Sequence, residues 1–506
     1  MTAAARRVTI ALLTLTALAV FLGFGHRSWH HWDEPVYLFA AARYTPAALA
    51  AGVFEPGDFG GFFAAKIGHV ALLRWLMTVF GRDVSAIPWM AVVYTLLVIA
   101  TAAMVMTVHK RFWHDPARAF AAALTALLTP VMVYLGPKLL SEVPAMCAAM
   151  GSLLCFAWGV RCSKQGAFIA FMVVSAVCFT MALASRGTTL LLVGGCWAAL
   201  WIAPPPGLRR GRIVTAALMI SALTCLLLVL SQPLFGVNLL RAISSVQGAV
   251  VERESWRDGV KRAIFALGPA LALVPVALFS HRRREALFSM VWFFCSVGPL
   301  LVRLHRLEER FLVTGVPALA GLAVLGGEVL WRWCGSPRHW AARSTVAMSV
   351  VALFGVSNYY IQPRTLWEID TQAYAEAMSW ITSTESQRPI LAPWGIGDFH
   401  YLQFAYPDVP VYLADTEAFC RFITPSGQAP NTADCVARIH RWYGTRWVGD
   451  AAALAHLGTP PWLYMTQKAL GRDARDRSWV WADPRLRLVP VYRNARYRVY
   501  EVEQRL

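Results

Sequence analysis

The chain has 506 residues, 57% hydrophobic and 15% charged, with a formal charge of +18 and a mean hydropathy of +0.48. Soluble domains run at ~45–50% apolar and ~25% charged residues, so this composition excludes an ordinary soluble protein and points to a polytopic membrane protein. The basic excess falls in short loops between apolar runs, where it sets topology and meets anionic lipid, so nucleic acid is a poor partner.

Apolar stretches near 8–25, 86–108, 118–136, 143–160, 167–184, 188–203, 213–231, 263–280, 286–302, 311–330 and 344–358 predict about eleven spans by the usual length criterion. The first follows Arg6/Arg7, lacks a small-residue cleavage site after it and reads as an uncleaved signal-anchor. Lys110/Arg111/Arg118, Arg161/Lys164, Arg209/Arg210/Arg212, Arg282/Arg283/Arg284 and Arg332/Arg338/Arg343 then recur in alternate loops. Positive charge stays on the cytoplasmic side, so the N-terminus is expected inside and, with an odd span count, the C-terminus outside. The expected outer loops are 26–85, the turn at Pro137–Glu142, the Arg186 turn, 233–262 and 303–311. The first contains "AAKIGHVALLRWLMTVFG", an amphipathic piece suited to lie on the membrane surface.

After about residue 359 the apolar runs shorten. "RPILAPWG", "VPVYLAD", "TRWVGD" and "RLRLVPVYRNARYRVYEVE" read as short strands, and "TQAYAEAMSWITS" and "TADCVARIHRWYG" as helices. The expected organisation is a helical membrane domain over 1–358 and an extracytoplasmic α/β domain over 359–506. Of ten cysteines, eight lie in or beside spans, while Cys420 and Cys435 in the outer domain would permit a disulfide in an oxidising compartment.

Three outer-face features carry chemistry. Asp33 and Glu34 in "HRSWHHWDEPVYLFAAARY" sit where low dielectric can tune a carboxylate for general-base work. From these residues alone a solvated helix cap is the simpler reading of the pair. Glu142 and Lys138 in "GPKLLSEVPAM" fall on the same side, although Ser141-Glu142 before Pro144 also makes an ordinary helix start. Lys66, Arg186, Arg303, His305, Arg306 and Arg310 are cations on the face where cations are disfavoured, and guanidinium forks pair well with phosphate. Glu308 and Glu309 could instead neutralise Arg306 and Arg310 in a surface network. His69 reads as a packing residue. Acids for chemistry and bases for phosphate describe an enzyme acting on a lipid phosphate, or a transporter.

The chain resembles the GT-C class of membrane glycosyltransferases, in particular the bacterial protein-mannosyltransferase and aminoarabinose-transferase-like branch. The likeness rests on "WDEPVYLFAAARY", on "VFGRD" at 79–83, on an acid opening the fourth span followed by "LASRGTTLLL", and on "EERFLVTGVPALAGLAV" at 309–325. The "KPP" stretch of the aminoarabinose branch is replaced by "FFAAKIGH", and Glu142 stands where many relatives carry Asp. The resemblance implies transfer of a sugar from a polyprenyl-phosphate donor to a lipid, glycan or protein acceptor at the outer face of a bacterial inner membrane. Asp33 would be the base of an inverting single displacement, with Glu34 beside it. Glu142 would orient acceptor or sugar, or help hold a divalent cation; no cofactor is read from ligand spacing. Lys66, Arg186, Arg303, Arg306 or Arg310 would stabilise the leaving phosphate. A glycolipid flippase would instead place charges near the midplane of paired broken helices. A surface-polysaccharide polymerase or ligase would carry a large central outer loop.

Overall fold

The computed structural model describes residues 29–31, 33–54, 63–82, 84–245, 256–301, 309–333, 368–384, 388–392, 398–406, 408–414, 437, 439, 442–443, 447–456, 462–467 and 479–504. The expected spans at 8–25 and 344–358, most of 432–444, and Arg303, His305, Arg306, Cys420 and Cys435 lie outside them. The chain divides into two compact units. One comprises Met1–Arg27, Ala91–Ser231 and Val251–Arg364; the other comprises Ser28–Met90, Gln232–Val250 and Thr365–Leu506.

The first unit is helical. Among the described residues six helices are long and apolar enough to cross a membrane: Ile87–Trp113, Glu142–Gly159, Gln165–Ser185, Arg210–Val229, Arg283–Leu301 and Arg310–Trp333, the last opening with a 3-10 turn. Thr189–Ile202 is a shorter apolar helix, separated from Gln165–Ser185 by three residues. Two expected spans are interrupted. The 118–136 stretch is the helices Pro116–Leu128 and Pro130–Leu135, parted at Thr129, whose ψ of 129° precedes Pro130. Proline lacks an N–H and pushes its predecessor out of the helical region, so the break falls there. The 263–280 stretch runs from Trp256–Leu267 into a 3-10 turn at Gly268–Ala272 and then Leu273–Ala277, with Pro269 and Pro275 preventing one continuous ladder. Small residues let these helices approach closely. A Cβ on Gly326 would run into the carbonyl oxygen of Leu273. Between Glu142–Gly159 and Gln165–Ser185, the Ser152 and Ser175 hydroxyls meet at 2.9 Å.

The basic loops expected on one side do converge. Arg161 Nη2 donates to the carbonyl of Phe112 at 3.1 Å, and Arg212 to that of Cys162. Arg118 pairs with Asp115 at 2.9 Å, Glu285 at 2.9 Å and Glu328 at 2.6 Å. Asp115 also caps the helix Pro116–Leu128, accepting from the N–H groups of Ala117 and Arg118. The other end of this unit brings together 141–142, Arg186 and Arg310.

The second unit contains a five-stranded sheet, order β4-β3-β5-β7-β6, with β3 Ile390–Ala392, β4 Val411–Leu413, β5 Trp462–Gln467, β6 Leu486–Arg493 and β7 Tyr497–Gln504. β3 pairs in parallel with β4 and β5; β5–β7 and β6–β7 are antiparallel. The register shifts between Pro490 and Tyr492 on edge strand β6, where a missing N–H is tolerated. Leu391, Leu454, Trp462, Tyr464, Leu486 and Val502 form its core. A two-stranded sheet pairs β1 Trp29–His31 with β2 Glu368–Asp370. β1 leads directly toward the helix Asp33–Arg43, which docks on the helix Asp398–Ala405 through rings. Phe39 lies 5.1 Å from His400 and 5.6 Å from Tyr443, and Phe63 stacks on Trp442 at 5.5 Å.

Phe399, His400 and Tyr401 are buried, so these three side chains serve packing. His400 Nε2 lies 3.0 Å from Tyr443 Oη, and burial pushes the imidazole down to about 3. The unfolded imidazole takes a proton near pH ~6.5, so acid favours the unfolded chain between that pH and the depressed folded value. Lowering the pH from 6.5 to 5 is expected to cost native protein about 2 kcal/mol more than a His400→Phe variant. Hydrogen exchange across Asp398–Ala405 reads this; equal acid slopes would contradict it.

Candidate active site

In the first unit the site is organised by Glu142, the opening residue of the helix Glu142–Gly159 and fully buried. The Ser141 side chain makes no cap to this helix, despite holding the N-cap position. Its hydroxyl instead donates to Glu142 Oε2 at 3.2 Å and accepts from Arg186 Nη1 at 2.9 Å. Glu142 Oε1 takes two guanidiniums, Arg186 Nη1 at 2.7 Å and Arg310 Nε at 3.1 Å. Both arginines are 5% exposed. Such pairs at low dielectric hold only when geometry and hydrogen bonding offset desolvation.

Local structure explains how Arg186 arrives there. The helix Gln165–Ser185 ends as Arg186 turns extended, φ −164° and ψ 117°. Its carbonyl accepts from the Thr189 hydroxyl at 2.7 Å, restarting the chain as the helix Thr189–Ile202. The guanidinium carbon lies 4.1 Å from the centre of the Phe311 ring, a cation–π contact that fixes its plane. Phe311 follows Arg310 in the 3-10 turn Glu309–Gly315, so one turn supplies a cation and a platform for the other cation. Arg186 Nε is buried and makes no hydrogen bond among the described residues. A guanidinium has five donors in a fixed fork, and this one is anchored through Nη1.

In the second unit Asp33 and Glu34 form the first turn of the helix Asp33–Arg43. They are 8% and 2% exposed, so they do not form the solvated cap that first-turn acids usually make. Tyr37 stands one helical turn on from Asp33, on the same face. Its hydroxyl accepts from Lys66 Nζ at 2.5 Å, and its ring meets His69 edge-on at 4.6 Å. Lys66 opens the helix Ile67–Phe80, which Gly81 closes with a φ of 105° that a side chain would resist. His69 is fully buried against Tyr37, as a packing residue would be.

The residues expected at the site thus fall into two described groups: Glu142, Arg186 and Arg310 in one unit, and Asp33, Glu34 and Lys66 in the other. Lys138 is buried near the first group in sequence, its ammonium 4.8 Å from the Tyr134 ring. Phe311 and Tyr37 were missed by sequence reasoning. "EERF" did hold a signal, an aromatic directly after the last arginine of an expected outer loop. Among the described residues no group of three or more His, Cys, Asp or Glu side chains could hold a metal ion.

No family model and no curated protein sequence matches the chain. Solved structures do. ArnT from Cupriavidus metallidurans in the apo state superposes with a TM-score of 0.60 over 98% of this chain and 98% of its own, at 16% identity. The same protein bound to undecaprenyl phosphate gives 0.59 at 15% identity, covering 97% of each. The oligosaccharyltransferase AglB from Archaeoglobus fulgidus, in complex with an inhibitory peptide and a dolichol-phosphate, gives 0.53 at 10% identity over 92% of this chain and 70% of its own. The chain therefore has the fold of the GT-C glycosyltransferases, a polytopic helical membrane fold.

Removing the Glu142 carboxylate leaves two buried guanidiniums without it. Glu142→Ala is expected to lower stability by roughly 3–5 kcal/mol, and Glu142→Asp by less, in thermal unfolding of detergent-solubilised protein. An unchanged melting temperature for Glu142→Ala would contradict this role.

Proposed function

We propose that this chain is an integral-membrane glycosyltransferase that moves a sugar from a polyprenyl-phosphate donor to an acceptor hydroxyl at the outer leaflet of a bacterial inner membrane. The observation that carries the reading is Arg186: buried, held by Glu142 and Ser141 through one nitrogen, stacked on Phe311, with no hydrogen bond to Nε among the described residues. A preorganised cation in a dry site has most effect on charge that develops during reaction, and a departing lipid phosphate develops such charge. The end-to-end likeness to ArnT supports the same reading, since that protein has been solved with undecaprenyl phosphate bound.

In the proposed step the acceptor oxygen attacks the anomeric carbon while Asp33 takes the hydroxyl proton. The new carbon–oxygen bond forms as the bond to the phosphate oxygen breaks, and the lipid phosphate leaves with the electron pair. Configuration inverts, and no carboxylate becomes covalently attached. Arg186 and Arg310 stabilise the phosphate, while Glu142 positions both arginines. Lys66 is assigned to the donor phosphate as well, with Tyr37 orienting it. The acceptor is a lipid, glycan or protein.

Sugar transfer and donor hydrolysis by the purified chain, measured over a panel of polyprenyl-phosphate sugars, test the assignment. Asp33→Asn is expected to lower turnover by ~100-fold or more, the usual worth of a general base, with the melting temperature kept. Turnover unchanged in Asp33→Asn would remove Asp33 from the role and pass it to Glu34.

A further inference from the structure

The end of the first unit away from Glu142 has a cavity of about 330 Å³ that the proposed transfer does not use. Its walls come from the segment after Leu273–Ala277, the start of Arg283–Leu301 and the end of Val316–Trp333. Phe279, His281, Arg283, Val329, Arg332 and Trp333 line it. We infer that this cavity binds the phosphate headgroup of an anionic phospholipid, independently of the transferase reading.

Charge is the first argument. Glu328 stands one turn before Arg332 and Glu285 two residues after Arg283, and either could have neutralised its neighbour. Arg118 takes both, at 2.6 and 2.9 Å, together with Asp115. Among the described residues Arg283 and Arg332 form no ion pair with a carboxylate. Arg332 Nη1 instead donates to His281 Nδ1 at 2.6 Å. A guanidinium cannot accept, so His281 is neutral at that nitrogen and holds the fork in place without cancelling its charge. Two guanidiniums at one cavity make a phosphate-sized site.

The walls identify the source of the phosphate. Leu278, Phe279 and Trp333 are 63%, 69% and 60% exposed, and the Phe279 and Trp333 rings pair at 5.5 Å. Exposed aromatics beside arginines at helix ends mark the level of lipid headgroups, and basic pockets between helices at that level take anionic lipid. A soluble phosphate would gain nothing from these rings, whereas a glycerol and its acyl chains would cover them.

The experiment is native mass spectrometry of the full chain in detergent with added phosphatidylglycerol, phosphatidylcholine or inorganic phosphate. Native protein is expected to retain phosphatidylglycerol over phosphatidylcholine. The double variant Arg283→Gln/Arg332→Gln should weaken that retention by roughly 25-fold, at about fivefold per cation near a membrane surface. Arg284→Gln, a neighbouring exposed cation outside the cavity wall, should leave it within about twofold and serves as the control for bulk charge. Trp333→Ala should weaken retention without changing net charge. Equal retention of phosphatidylglycerol by native protein and the double variant would overturn the site. Displacement of the lipid by millimolar inorganic phosphate, with Trp333→Ala behaving as native, would overturn the lipid as its source.

Discussion

One buried carboxylate sets the terms at one end of the helical unit. Glu142 has no access to solvent, and its Oε1 holds guanidiniums from two segments far apart in sequence, Arg186 and Arg310. Three helix junctions therefore meet at one point: the start of Glu142–Gly159, the extended break after Gln165–Ser185, and the 3-10 turn before Val316–Trp333. Each is a place where the helical ladder is interrupted, and in a low-dielectric setting the freed polar groups need partners. Ser141 gives up its usual cap to join Glu142 and Arg186, and the Thr189 hydroxyl takes the carbonyl of Arg186. The ion cluster and the breaks in the helices explain one another.

The opposite end is built on the inverse arrangement. There one cation, Arg118, gathers three carboxylates, whereas at Glu142 one carboxylate gathers two cations. The first leaves Arg283 and Arg332 without a carboxylate partner among the described residues; the second holds arginines inside the protein. Both uses follow from the cost of a charge in an apolar medium, which makes every ionisable group either paired or placed at an interface.

Much of the helical unit was legible because a membrane imposes few solutions. Apolar runs of span length became helices from Ile87–Trp113 to Arg310–Trp333, and loops grouped by their basic residues met at one end. Helix continuity was less legible. Composition stays apolar through Thr129-Pro130 and through Gly268-Pro269, and only the proline chemistry marks those breaks. In the second unit the β6–β7 hairpin and the helix Thr371–Thr384 were readable from their periodicity. The three-residue pair β1 and β2 was not, since so short a strand has no period and is defined by a partner more than 300 residues away. At the site, loop alternation assigned Glu142, Arg186 and Arg310 to one face, and the structure joins them. That Ser141 would abandon its cap, or that Phe311 would support Arg186, depends on three-dimensional contact alone.

The central claim is that the arginines held by Glu142 exist to receive a lipid phosphate. Equilibrium binding of undecaprenyl phosphate to the purified chain, compared between native protein and Arg186→Gln, addresses it most directly. The account predicts saturable binding that weakens by about tenfold or more in the variant, the worth of one charge-assisted hydrogen bond or two, measured at a temperature where both proteins are folded. Equal affinity in the two proteins would contradict it.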